Sequence, residues 1–115
     1  MLEILKQGDS GVRARAADEL GHIGEAAAPA VPALISALSD KSQRVRSSAS
    51  LALGNIGPAA ARAVPSLIQA LRDKNLDVRY NASLALARIG TPEARQALKR
   101  YIGEEAYLRI EGNQP

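Results

Sequence analysis

The sequence predicts an all-α fold of stacked helix pairs, and three observations predict it. Val12-Arg13 recurs as Val45-Arg46 and Val78-Arg79, while Gly24, Gly57 and Gly90 keep the same register, each after an isoleucine. Laid without a gap on residues 45–77, residues 12–44 match at about 19 of 33 positions, far above chance. Within each unit the apolar residues recur at spacings of three and four, the period of a helix face and not of a strand.

The elements follow in order. In repeat register Met1 falls on Leu34 and Leu5 on Leu38, so residues 1–7 predict the back half of a second-type helix. Val12, Ala16, Leu20 and Ile23 stripe a first-type helix over 10–23, and the glycine after the isoleucine supplies the left-handed backbone that closes it. Val31, Leu34, Ile35 and Leu38 stripe a second helix over 30–39. Pro32 belongs in its first turn or at a kink, since deeper in a helix proline removes a bond and clashes, so the helix starts near Ala30 with room for a short helical turn before it. The pattern repeats over 43–56 (Val45, Ala49, Leu53, Ile56) and 62–72 (Val64, Leu67, Ile68, Leu71, with Pro65), then over 76–89 (Val78, Ala82, Leu86, Ile89). Thr91-Pro92-Glu93 reads as a helix start, with an N-cap, proline at the first position and an acid in the first turn. The helix it opens, 92 to about 106, has an apolar face of Ala94, Leu98, Tyr101 and Ile102 and lacks the interior proline. The organisation is one domain over 1–108: half a repeat (1–11), repeats 12–44 and 45–77, and a degenerate repeat 78–108, followed by a tail at 109–115. One helix pair cannot bury its stripe alone, so the pairs must stack.

Composition removes several function classes. With no cysteine and one histidine among 115 residues, thiolate chemistry, disulfides and a multi-histidine metal site are excluded. Three tyrosines are the only aromatic residues, too few for a base-stacking platform or an aromatic cofactor pocket. The net charge of +3 is mild for a dedicated nucleic-acid binder. No apolar run approaches the length of about 18 residues that a membrane-spanning helix needs. The N-terminus lacks the apolar core and cleavage site of a signal peptide, so a cytoplasmic address is expected.

The unit Val-Arg-x-x-Ala-x-x-x-Leu-Gly-x-Ile-Gly, followed by Ala-Val-Pro-x-Leu-Ile-x-Ala-Leu-x-Asp, resembles HEAT repeats, most closely the subtype named after phycobilisome lyases. The resemblance covers about residues 1–103. It implies a right-handed superhelix whose second-type helices line a concave, protein-binding face. It also implies a polar ladder in which Asp40 and Asp73 meet the arginines that follow them, Arg46 and Arg79. Arg13 matches the pattern but has Gln7 upstream, so the ladder is expected to weaken at its N-terminal end.

No constellation supports catalysis. The Gly-x-Ile-Gly segments at 21–24 and 54–57 close helices, whereas a phosphate cradle opens one. Asp18 with Glu19 and Glu104 with Glu105 are sequence neighbours that diverge around a helix, and nothing raises one carboxylate above the other as acid–base work requires. His22 is followed in register by Asn55 and Arg88, a solvated flank. Catalytic residues, cofactors and metals are therefore all expected to be none.

The function expected is a non-enzymatic scaffold for another protein. Ser36, Ser39, Gln69, Arg72, Arg95, Lys99 and Arg100 are its candidate contacts, and Arg62 and Lys74 lie near them. The alternatives are a subunit or fragment of a phycobilin-lyase-type, chromophore-handling protein, or weak nucleic-acid binding through the basic face, which the composition disfavours. A homodimer is expected through the N-terminal flank, where residues 1–6 are too short to cover Leu20 and Ile23. The alternative contact is Leu51 and Leu84, which replace Asp18 at one repeat position and are expected to pack against neighbouring first-type helices.

Overall fold

Six α-helices are found among the described residues, which are 4–103 of the computed structural model, and no strand is found there. They are α1 (Ser10–Ile23), α2 (Val31–Ala37), α3 (Gln43–Ile56), α4 (Val64–Ala70), α5 (Leu76–Ile89) and α6 (Pro92–Ile102). The first-type helices α1, α3 and α5 stack side by side along their lengths, and α2 and α4 pack against the first helix of the next unit. The result is an α solenoid.

The three first-type helices have the expected bounds, and each opens on a side-chain cap. Asp9, Ser42 and Asn75 accept a hydrogen bond from the backbone N–H of Val12, Val45 and Val78, satisfying donors that no helical carbonyl can reach. Thr91 caps α6 in the same way, through Ala94 N–H, as its sequence predicts.

Packing along the stack depends on small residues. A Cβ on Gly54 would stand 2.8 Å from the Ala85 Cα, and one on Gly21 would stand 3.1 Å from the Ala52 Cα. Leu34, Leu53, Leu67 and Leu86, with Val31, Val45, Val64 and Val78, form the fully buried core between layers.

Several expectations are corrected. Residues 4–6 form turns and not a helix, while residues 1–3 lie outside the described residues. Leu5 is nonetheless buried, and Leu20 is 6% exposed, so Leu20 is covered where a bare flank was expected. Ile23 and Val12 are exposed, at 50% and 43%. The second helices end two residues earlier than expected, at Ala37 and Ala70, where the backbone tightens into three-residue turns. A 3₁₀ segment precedes each of them, Gly24–Ala30 before α2 and Gly57–Ala63 before α4. Pro32 and Pro65 do fall in first turns. Gly24 and Gly57 have φ of 74° and 80° but ψ of −139° and −145°, and only Gly90, at φ 69° and ψ 17°, takes the left-handed helical cap. Leu51 and Leu84 are half-buried. The expected end of the last helix near residue 106 lies outside the described residues.

The last unit, expected to be degenerate, is shorter than the two before it. Buried Leu98 follows Ile89 by 98 − 89 = 9 positions, whereas buried Leu67 follows Ile56 by 67 − 56 = 11. Gly90-Thr91-Pro92 leads straight into α6 with no third 3₁₀ segment, and α6 packs against α5 and α4.

Candidate protein-interaction face

The face is positioned by a polar ladder. The Arg13 guanidinium donates through Nε and Nη2 to both oxygens of Asp40, at 2.9 and 3.0 Å. Arg46 does the same to Asp73, at 2.8 and 3.2 Å. Each aspartate also caps the loop after its own helix, accepting from the backbone N–H of Ser42 or Asn75 at 2.9 Å. Arg46 Nη1 reaches back to the carbonyls of Asp40 and Lys41, at 2.9 and 3.2 Å, and the whole residue is 8% exposed.

The pairing direction differs from the expected one. The carboxylate partner of each arginine lies at the end of the second helix that follows it, 27 residues on, and not six residues upstream. Arg46 meets Asp40 only at its backbone carbonyl. The N-terminal rung is therefore complete, and the thinner one is at Arg79, whose side chain donates to the Asp73 carbonyl at 2.7 Å and has no carboxylate partner among the described residues.

Electrostatics agree with the geometry. The Arg13 hydrogen bond holds the Asp40 carboxyl below its usual value, outweighing the opposing effect of burial, and the Ser42 N–H adds to it. Burial pushes Asp73 up, but Arg46 and the Asn75 N–H together bring it below its usual value. Arg13 is raised, chiefly by its hydrogen bond to Asp40 and against desolvation, with further help from the charges of Asp40 and Asp9.

Two of the seven candidate contacts come together in one groove. Arg72, just after α4, and Arg100, on α6, line a groove of about 360 Å³ with Ile68, Leu71, Glu93, Gln96, Ala97 and Tyr101. Lys99 lies beside it, in a shallow depression with Gln96, Arg100 and Gly103. Ser36, Ser39, Gln69 and Arg95 are exposed but do not line the groove. Arg62 and Lys74 are exposed outside it too.

Sequence reasoning missed the groove because it read α6 as a divergent second-type helix without marking the shorter spacing that precedes it. The helix buries Ala94 and Leu98, which leaves Glu93, Ala97 and Tyr101 as a neighbouring row at four-residue spacing. The available signal was the missing two residues between Ile89 and Leu98. Among the described residues there is no cluster of side chains able to hold a metal ion, and no helix is long and apolar enough to cross a membrane.

The stacked pairs define an α solenoid, and comparison with known proteins places it further. The family described as HEAT repeats matches residues 1–64 and 58–112. The chain belongs to the HEAT repeat family. Among solved structures it is similar to an engineered protein, with a TM-score of 0.71 and 26% identity, covering 99% of this chain and 54% of that one. It is also similar in fold to a designed armadillo repeat protein in complex with the peptide (KR)4, with a TM-score of 0.70 and 21% identity, covering 99% of this chain and 56% of that one. The chain thus spans about half the length of these two proteins. A comparison with the curated proteins finds no match.

Proposed function

We propose that the chain is a non-enzymatic protein-interaction scaffold whose contact surface is the face built by α2, α4 and α6. HEAT and armadillo-like repeats are typical of such scaffolds, and the designed armadillo neighbour has a bound peptide. The observation that carries the reading is the groove between α4 and α6. It joins an apolar floor to exposed basic side chains on helices fixed by buried stripes and paired charges, the mix found in binding clefts. Ser36, Ser39 and Gln69 extend the same surface along α2 and α4 with exposed hydrogen-bonding groups.

Selection of a random peptide library against the full chain tests the proposal. Peptides should be enriched that bind in solution and lose affinity when Gln69, Arg72 and Arg100 are changed together to Glu. Failure to enrich any peptide, or binding indifferent to that triple change, would count against the face. The finer reading as the phycobilisome-lyase subtype rests on the repeat consensus. A shift in bilin absorbance on mixing supports it, and an unchanged spectrum rejects it.

A further inference from the structure

We infer that the groove between α4 and α6 takes an acidic peptide segment bearing one apolar side chain between carboxylates. This deepens the interaction-scaffold reading and rests on it. The floor is apolar, with Leu71 4% exposed and Ile68 and Ala97 half-buried on either wall. Tyr101, 43% exposed, adds apolar surface at the mouth. At about 360 Å³ the groove is at the small end of ligand-sized clefts, roughly 300–1,000 Å³. It admits one large side chain and excludes a folded domain.

Charge selects the rest of the segment. Arg72 and Arg100 rise from opposite walls, both exposed, and neither is in an ion pair among the described residues. Planar guanidinium forks match carboxylates in two-point geometry. Glu93 is the one acid among the lining residues, two helical turns from Arg100, or about 10 Å along the axis. Glu93 and Arg100 therefore stand at different ends of α6. Gln96, exposed between them, offers an amide to a peptide backbone. A nucleic-acid strand fits less well, because its phosphates would leave the apolar floor wet and Tyr101 alone offers a stacking surface.

The test titrates four labelled probes against the full chain. They are an acidic peptide with a central leucine, the same peptide with a central serine, an alternating Lys-Arg peptide and a single-stranded oligonucleotide. The leucine peptide should bind about fivefold or more tighter than the serine peptide, because a buried leucine side chain contributes more than that factor. The Lys-Arg peptide should not bind. Arg72→Glu with Arg100→Glu, both exposed and outside the core, should weaken the leucine peptide about tenfold or more. Arg15→Glu with Arg44→Glu changes the net charge equally and should leave affinity within about twofold. Amide NMR shifts should centre on Ile68, Gln96 and Ala97. The inference is overturned by no saturation near about 1 mM, by equal loss in both double variants, or by equal affinity for the oligonucleotide. Shifts centred on Ser36 and Gln69 would overturn it while leaving the scaffold reading intact.

Discussion

Arg46 touches four acceptors, two on Asp73 and the carbonyls of Asp40 and Lys41, whereas Arg79 has one, the Asp73 carbonyl. Truncation should register that difference. Arg46→Ala should cost about 2–4 kcal/mol, because it leaves the Asp73 carboxylate part-buried without its cation. Arg79→Ala should cost about 0.5–1.5 kcal/mol, the worth of one hydrogen bond. Urea denaturation measures both, and equal losses would mean that the Asp73 carboxylate adds nothing to the Arg46 rung. The same aspartates set the acid limit. Their carboxyls sit below the usual value when folded, so the stability they contribute is present above the unfolded carboxylate value and lost as pH falls through the folded one. The denaturation midpoint should therefore drop on acidification below that range, and Asp40→Asn with Asp73→Asn should flatten the drop while lowering stability at neutral pH. The residues of the ladder were legible in the sequence from their register. Their pairing was not, because the resemblance pairs each aspartate with the arginine six residues on, while each arginine side chain reaches the aspartate at the far end of its own helix pair.

The first-type helices were legible to the residue because stripe, glycine stop and register all point to one answer. The 3₁₀ segments were legible only as room for a short helical turn before each second helix, since Ala-rich stretches such as 26–28 and 59–61 carry no periodicity that separates a 3₁₀ turn from a helix start. The groove left only a faint mark in the sequence. It comes from a two-residue shortening that leaves the helical pattern of α6 intact and changes only what faces α4. Close approach between first-type helices offers a direct test at this scale. In Gly54→Ala the new methyl would stand 2.8 Å from the Ala85 Cα, a backbone atom that cannot turn aside. Separation of α3 from α5 should cost about 1–3 kcal/mol, as overpacking does. Gly21→Ala, with 3.1 Å to the Ala52 Cα, should cost less. Thermal unfolding of the two variants compares them, and the reverse order would mean that α1 and α3 are the tighter pair.

At the scale of the whole molecule, the first unit leaves bare two apolar positions that the later units bury. Val45 and Val78 are fully buried, and Ile56 and Ile89 are 2% and 4% exposed, whereas the equivalent Val12 and Ile23 are 43% and 50% exposed. We propose that this flank pairs with its twin about a two-fold axis, an arrangement that closes on itself. Light scattering across micromolar concentrations should then show mass rising toward twice 12.1 kDa, and a constant 12.1 kDa would remove the proposal. Val12→Glu with Ile23→Glu should restore the monomer. The reach of the ladder has one more consequence, for how such a chain tolerates change in length. Each arginine takes its carboxylate from 27 residues ahead and its carbonyl from six behind, and the arginines recur every 46 − 13 = 33 positions. Excising 45–77 would bring Arg79 against the Asp40 carbonyl in the place Arg46 held and leave Arg13 with its own acid. Loss or duplication of one whole unit thus keeps every rung's spacing, whereas deletion of a few residues between Arg46 and Asp73 changes the 27-residue spacing of that rung alone.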